Sequence, residues 1–106
     1  MTPKTIPSLA LMCKSHNYKL DPYASEYRVG NWVIGKRKRK ELVGESVVLT
    51  ESQSTPAYLG GIIVGFVPTV NGKCEVIFKE DQSLIGNEDA VGHSGWGVRR
   101  GVCYVV

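Results

Sequence analysis

Tyr58-Leu59-Gly60-Gly61-Ile62-Ile63-Val64-Gly65-Phe66-Val67-Pro68 runs through Thr69-Val70-Asn71-Gly72-Lys73 into Cys74-Glu75-Val76-Ile77-Phe78. Two apolar runs thus flank an Asn-Gly pair. That pair favours a type I′ turn, which needs φ > 0 at both central positions and joins two antiparallel strands. The stretch predicts a β-hairpin at the middle of a small all-β core. Its second run places Cys74, Val76 and Phe78 on one face and Glu75, Ile77 and Lys79 on the other. Residues 62–67 are apolar on both faces. The first strand is therefore expected in the sheet interior and the second nearer an edge or a solvent face.

Upstream of the hairpin, Glu45-Ser46-Val47-Val48-Leu49-Thr50 reads as a β-branched strand. The segment 52–59 has Thr55 as a candidate N-cap and Pro56 at a first helical position, which predicts one helical turn ended by Gly60-Gly61. Ser8-Leu9-Ala10-Leu11-Met12-Cys13 reads as a first strand. Between them, 14–23 lacks a clean period, and Asp21-Pro22 favours a turn. Residues 26–35 predict one or two short extended pieces with a turn at Gly30-Asn31. Downstream, 79–92 is acidic and broken by glycine, and is expected to be an irregular connection with one helical turn. Residues 96–100 and 102–106 predict a closing strand pair around Gly101, with Val105-Val106 pinned into the sheet. Residues 1–7, carrying Pro3 and Pro7, are expected to be a loosely ordered lead-in.

The pattern is mainly β, a small curved or closed β-barrel of five to seven short strands with one or two short helical turns. Closure would hide strand edges. A chain of 106 residues is expected to form a single domain, 1–106, with one modest core. No apolar run approaches the roughly 20 residues that span a bilayer, and the first residues lack the long apolar segment of a secretion signal. Cys13, Cys74 and Cys103 are odd in number and lie in or beside apolar runs, as reduced thiols do. A cytoplasmic location, without membrane, is the expectation.

The net charge of +3 is unevenly placed: residues 1–50 carry nine Lys/Arg against four Asp/Glu, and residues 51–106 carry four against six. This predicts one basic face. Its centre is Lys36-Arg37-Lys38-Arg39-Lys40, five consecutive cations that could not all be paired in a core, so a solvated loop or edge is expected. Such a run can neutralise phosphates and release their counterions, or it can simply be a solvated, aggregation-resistant surface. Arg28, Trp32, Arg99 and Arg100 would extend it if the strands bring them together. Cys13-x-x-His16 with Cys74, His93 and Cys103 could be assembled into a zinc site on paper. No second C-x-x-C or H-x-x-x-H element accompanies them, so neither a metal nor another cofactor is expected.

Several of these pieces form a series. Glu26-Tyr27-Arg28, then Trp32, then the basic run, then Gly44-Glu45-Ser46-Val47-Val48-Leu49 ending at Ser52, then Gly60-Gly61-Ile62-Ile63-Val64-Gly65-Phe66-Val67, then Gly95-Trp96-Gly97-Val98, resembles the landmarks of ASCH domains of the PUA-like superfamily. The resemblance spans residues 26–98. It implies a small β-barrel with one or two helices, association with RNA or modified nucleosides and, for some small members, amidohydrolase activity on an acylated cytidine. Tyr23 stands where the family usually carries a catalytic Lys, and the helix usual before the E-x-R step has little support in 14–25. A non-catalytic module is therefore the expectation.

Glu26 and Arg28, two apart on a strand, would share a side. At a pocket mouth Arg28 would take a phosphate or base edge and Glu26 an exocyclic amine; on a plain surface they would form a weak salt bridge. Trp32 and Tyr27 could stack on an unpaired base, although a Trp beside Val33-Ile34 more often packs in a core. The expected ligand pocket comprises Glu26, Arg28, Trp32, Ser52 and His93, with Lys36, Arg37, Lys38, Arg39 and Lys40 as the nucleic-acid contact. Three functions stay open at this point. The first is an RNA- or nucleotide-binding module; the second is a small hydrolase of an acylated nucleoside with a pocket carboxylate moving protons. The third is a protein-interaction module, of the kind found in phage or mobile elements, that docks on a protein partner through an exposed strand or the acidic 80–89 loop.

Overall fold

The Asn71-Gly72 turn forms as its chemistry demands. In the computed structural model, which describes residues 7–14, 18–52, 54–86, 88 and 101–105, Asn71 has φ 56° and ψ 36° and Gly72 has φ 74°. Lys73 N donates to Val70 O at 3.1 Å across the turn. The order along the chain is β1 (Leu9–Met12), β2 (Lys19–Asp21), β3 (Glu26–Trp32), α1 (Lys36–Leu42), β4 (Ser46–Thr50), β5 (Leu59–Pro68), β6 (Cys74–Glu80) and β7 (Val102–Tyr104). The strands make one mixed sheet in the order β2-β3-β6-β5-β4-β1-β7. Among the described residues only β1 and β4 pair in parallel, Leu9 opposite Val47.

The predicted alternation holds along β6, where Cys74, Val76 and Phe78 are wholly buried. Of the two placements expected for it, an edge or a solvent face, the edge does not hold, because β3 pairs with β6 on the side away from β5. That partner comes from residues 26–32, far away in the chain, and no local pattern announces it. A central strand of an antiparallel sheet can still face water on one side, which is why Glu75 and Ile77 are only half-buried.

The sheet is strongly curved. Trp32 closes β3, the second strand in the order, and a Cβ built on Gly101, just ahead of β7, the seventh, would lie 3.6 Å from its ring. Tyr18 ahead of β2 likewise meets Tyr58 ahead of β5, ring centroids 6.3 Å apart. The concave face holds the main core, including Leu9, Leu11, Val29, Val47, Leu49, Ile63, Val76, Phe78 and Val102; burying each such side chain stabilises the fold by roughly 1.5–3 kcal/mol. Among the described residues β2 and β7 are the sheet edges and no ladder joins them.

A smaller cluster of Ala10, Val48, Ala57, Leu84 and Cys103 covers the convex side of β4, β1 and β7. Leu84 belongs to a 3-10 turn, Gln82–Leu84, begun by Asp81, whose carboxylate accepts from Ser83 N at 3.0 Å and Ser83 Oγ at 2.6 Å.

Several local expectations need correction. No helical turn occupies the described residues of 52–59: Thr55 Oγ1 accepts from Ser52 N at 3.0 Å, and Ser52 Oγ accepts from Ser54 N at 3.2 Å. Short hydroxyl side chains here satisfy the backbone locally instead of capping a helix. Gly60-Gly61 lies inside β5, where a Cβ on Gly61 would overlap the carbonyl oxygen of Lys79. Gly30-Asn31 is not a turn; it carries a cis peptide within β3, where the pairing with β6 shifts register between Val29 and Trp32. The turn at Asp21-Pro22 does form, with Asp21 Oδ1 accepting from Tyr23 N and Ala24 N. Most of the lead-in, the end of the acidic connection and the strand expected over 96–100 lie outside the described residues, as do His16, His93, Arg99 and Arg100. Among the described residues no helix is long and apolar enough to cross a membrane.

Candidate nucleic-acid interface

The five cations do not form a loop. They are the first five residues of α1, solvated as their charge requires but helical, because Lys, Arg, Glu and Leu are all good helix formers. Nothing acidic occupies the first turn to complement the helix dipole, an arrangement that costs a few tenths of a kcal/mol or more. Tertiary contacts offset it. Ile34 before the helix and Leu42 at its end are buried in the core. Arg39, half-buried, donates from Nε to Ile34 O at 2.8 Å and from Nη2 to Gly72 O at 3.0 Å. It also reaches the Cys74 thiol; burial pushes that thiol above its usual range, and the guanidinium offsets only part of the rise.

Helical spacing divides the charges. Lys36, Arg39, Lys40 and Val43 recur at i, i+3, i+4 and i+7, one face of a helix and the turn beyond it. They line a groove of about 330 Å³ whose other wall is Phe66 and Pro68, two apart on the same side of β5. Lys38, Glu41, Leu42 and Glu45 repeat the spacing and line a smaller hollow of about 220 Å³ with Ser8 and Tyr104. Arg37 points to solvent.

The two sides differ in how their cations are compensated. Arg37 Nε and Lys38 Nζ lie 3.5 and 3.6 Å from the Glu41 carboxylate, and Lys38 also sits over the Tyr104 ring, 5.1 Å from its centroid. In the same hollow Ser8 Oγ donates to Glu45 Oε2 at 3.2 Å. Lys36 and Lys40 have no ion pair among the described residues. Two uncompensated ammonium groups therefore flank a groove whose floor, Val43, Phe66 and Pro68, is apolar.

Among the described residues the expected pocket members Glu26, Arg28, Trp32 and Ser52 are dispersed, and His93 lies outside the described residues. Trp32 is a core residue, 8% exposed, with Nε1 donating to Val29 O at 3.1 Å, so its ring is not presented to a ligand. Tyr27 also points inward, stacked on Phe78 at 5.4 Å and edge-on to Tyr18. Its hydroxyl donates to Glu80 Oε1, and burial together with that bond raises its pKa. Glu26 and Arg28 do share a side, as their spacing predicts, but it is the opposite one from Tyr27 and Val29, where they stand across from Lys79 and Ile77. Ser52 belongs to the turn after β4. Neither groove beside α1 includes any of them.

Of the paper zinc set, Cys13 and Cys74 are buried in the main core and Cys103 in the smaller cluster. Among the described residues no three His, Cys, Asp or Glu side chains are grouped as metal ligands are. The groove floor is not legible in the sequence: the spacing from Lys36 to Val43 is local, but the approach of Phe66 and Pro68 on β5 is a tertiary contact. Comparison with family models, curated proteins and solved structures gives no match.

Proposed function

We propose that the protein is a small non-catalytic RNA- or nucleotide-binding module, of the PUA-like type that the sequence resembles, acting in the cytoplasm. The observation that carries this reading is the pair Lys36 and Lys40, uncompensated and one helical turn apart beside an apolar groove. Ammonium groups left without carboxylates hold mobile counterions, and a phosphate chain that displaces those counterions gains affinity from their release. Arg39 is spent on backbone carbonyls and so positions the helix. Arg37 and Lys38 are partly neutralised by Glu41 and contribute less.

Fluorescence anisotropy with a single-stranded RNA over a salt series tests it. Each phosphate contact contributes about −0.7 to the slope of log K against log salt for a single strand. Lys36→Ala/Lys40→Ala should weaken binding and flatten the slope by about 1.4, while Arg37→Ala changes both much less. Alanine keeps the helix, so loss of fold does not confuse the result. An unchanged affinity and slope in the double variant would overturn the proposal.

A further inference from the structure

We infer that the groove between α1 and β5 seats one unpaired nucleobase, with Lys36 and Lys40 holding the phosphates on either side of it. This rests on the nucleic-acid reading above and names the form of nucleic acid. Cations alone would suit any polyphosphate surface, single or double. Here they rim a floor built from Val43, Phe66 and Pro68. An apolar floor is useful only to a ligand that brings an apolar face to it. In a duplex the faces of the bases are stacked inside and only phosphates and base edges reach a protein; in a single strand the faces are free to lie on an aromatic or apolar side chain.

Size and spacing agree. A volume of about 330 Å³ lies at the small end of the roughly 300–1,000 Å³ of small-ligand sites, room for one base rather than a run of them. Residues i and i+4 of a helix are about 6 Å apart along its axis, comparable to the step between successive phosphates of an extended strand. The groove is held in shape from both sides. Arg39 bonds the helix to the Gly72 carbonyl at the hairpin tip, and Phe66 packs against the main core and opposite Val76. Phe66 is half-buried, packed against the core and at the same time lining the groove.

The test compares a mixed-sequence heptanucleotide RNA, its abasic counterpart with the same phosphates, the matching duplex and an acidic peptide of equal charge. The unpaired RNA should bind about 10-fold more tightly than the other three, the weight of one stacked base. Phe66→Leu, which keeps the packing, should remove most of that advantage and leave the salt slope unchanged. Val43→Asp, at a half-exposed position that the core does not need, should remove that advantage too, and its carboxylate beside Lys36 and Lys40 should also lower the salt slope. If abasic strand or duplex binds as well as the unpaired RNA while the Lys36/Lys40 variant still weakens all of them, the base seat is refuted and the nucleic-acid reading survives. If the acidic peptide binds as tightly as the RNA, or no oligonucleotide binds, both fall.

Discussion

Arg39 in α1 donates from Nη2 to the carbonyl oxygen of Gly72, 33 residues later, at the tip of the β5–β6 hairpin. This bond and the one from Nε to Ile34 O make a single guanidinium the strap between the basic helix and the sheet. Arg39→Ala should lower stability by about 1–3 kcal/mol, since hydrogen bonds from charged donors are worth about 1.5–3 kcal/mol each when well buried and less when half-exposed. Arg39→Lys should recover little of this, because an ammonium cannot span two carbonyls as a planar fork does. Urea unfolding measures both, and hydrogen exchange at residues 70–73 should speed up in step.

Trp32 supplies a test that separates packing from recognition. Trp32→Phe removes the Nε1 donor and leaves Val29 O without it in a buried site, at a cost of about 1–3 kcal/mol. Oligonucleotide affinity of the folded variant should stay at the parent value, because the ring faces the core. Thermal melts and anisotropy on one preparation check both halves.

Two glycines of β5, four positions apart, should respond in opposite ways. A Cβ on Gly61 would overlap the Lys79 carbonyl oxygen and meet the Phe78 ring at 2.7 Å, and the backbone cannot yield without breaking the β5–β6 ladder. Gly61→Ala should destabilise by several kcal/mol, roughly 3 or more. Gly65→Ala meets nothing within 4 Å and should be neutral or stabilising by up to about 1 kcal/mol. Denaturation midpoints of the two variants make the comparison.

Asp81 contributes an acid-sensitive element. Hydrogen bonds from Ser83 Oγ and N hold its carboxyl below the ordinary range. A carboxyl whose folded pKa is depressed adds stability that is present above its unfolded pKa and is lost as pH falls through the folded value. Asp81→Ala should cost about 0.5–2 kcal/mol at neutral pH, as N-cap losses do, and should flatten the decline in stability below about pH 4, where carboxylates titrate. Stability measured from pH 7 to pH 2 checks the sign; a decline as steep in the variant as in the parent would exclude this role.

Local chemistry was legible in the sequence. Asn71-Gly72 demanded a left-handed pair and so a hairpin, the alternation of Cys74, Val76 and Phe78 against Glu75, Ile77 and Lys79 assigned faces, and five adjacent cations had to be solvated. Each follows from forces acting within a few residues. Hydroxyl-rich 52–55 misled for a local reason too, because Ser and Thr can serve a turn as readily as a helix start. Only the tertiary structure decided that β3 lies beside β6, that β1 runs parallel to β4, that Trp32 turns inward while Glu26 and Arg28 turn out, and that Phe66 and Pro68 meet the Lys36 and Lys40 face of α1. Those pairings join residues tens of positions apart and are selected by which apolar faces can be buried together, a global condition that no short stretch of chain carries.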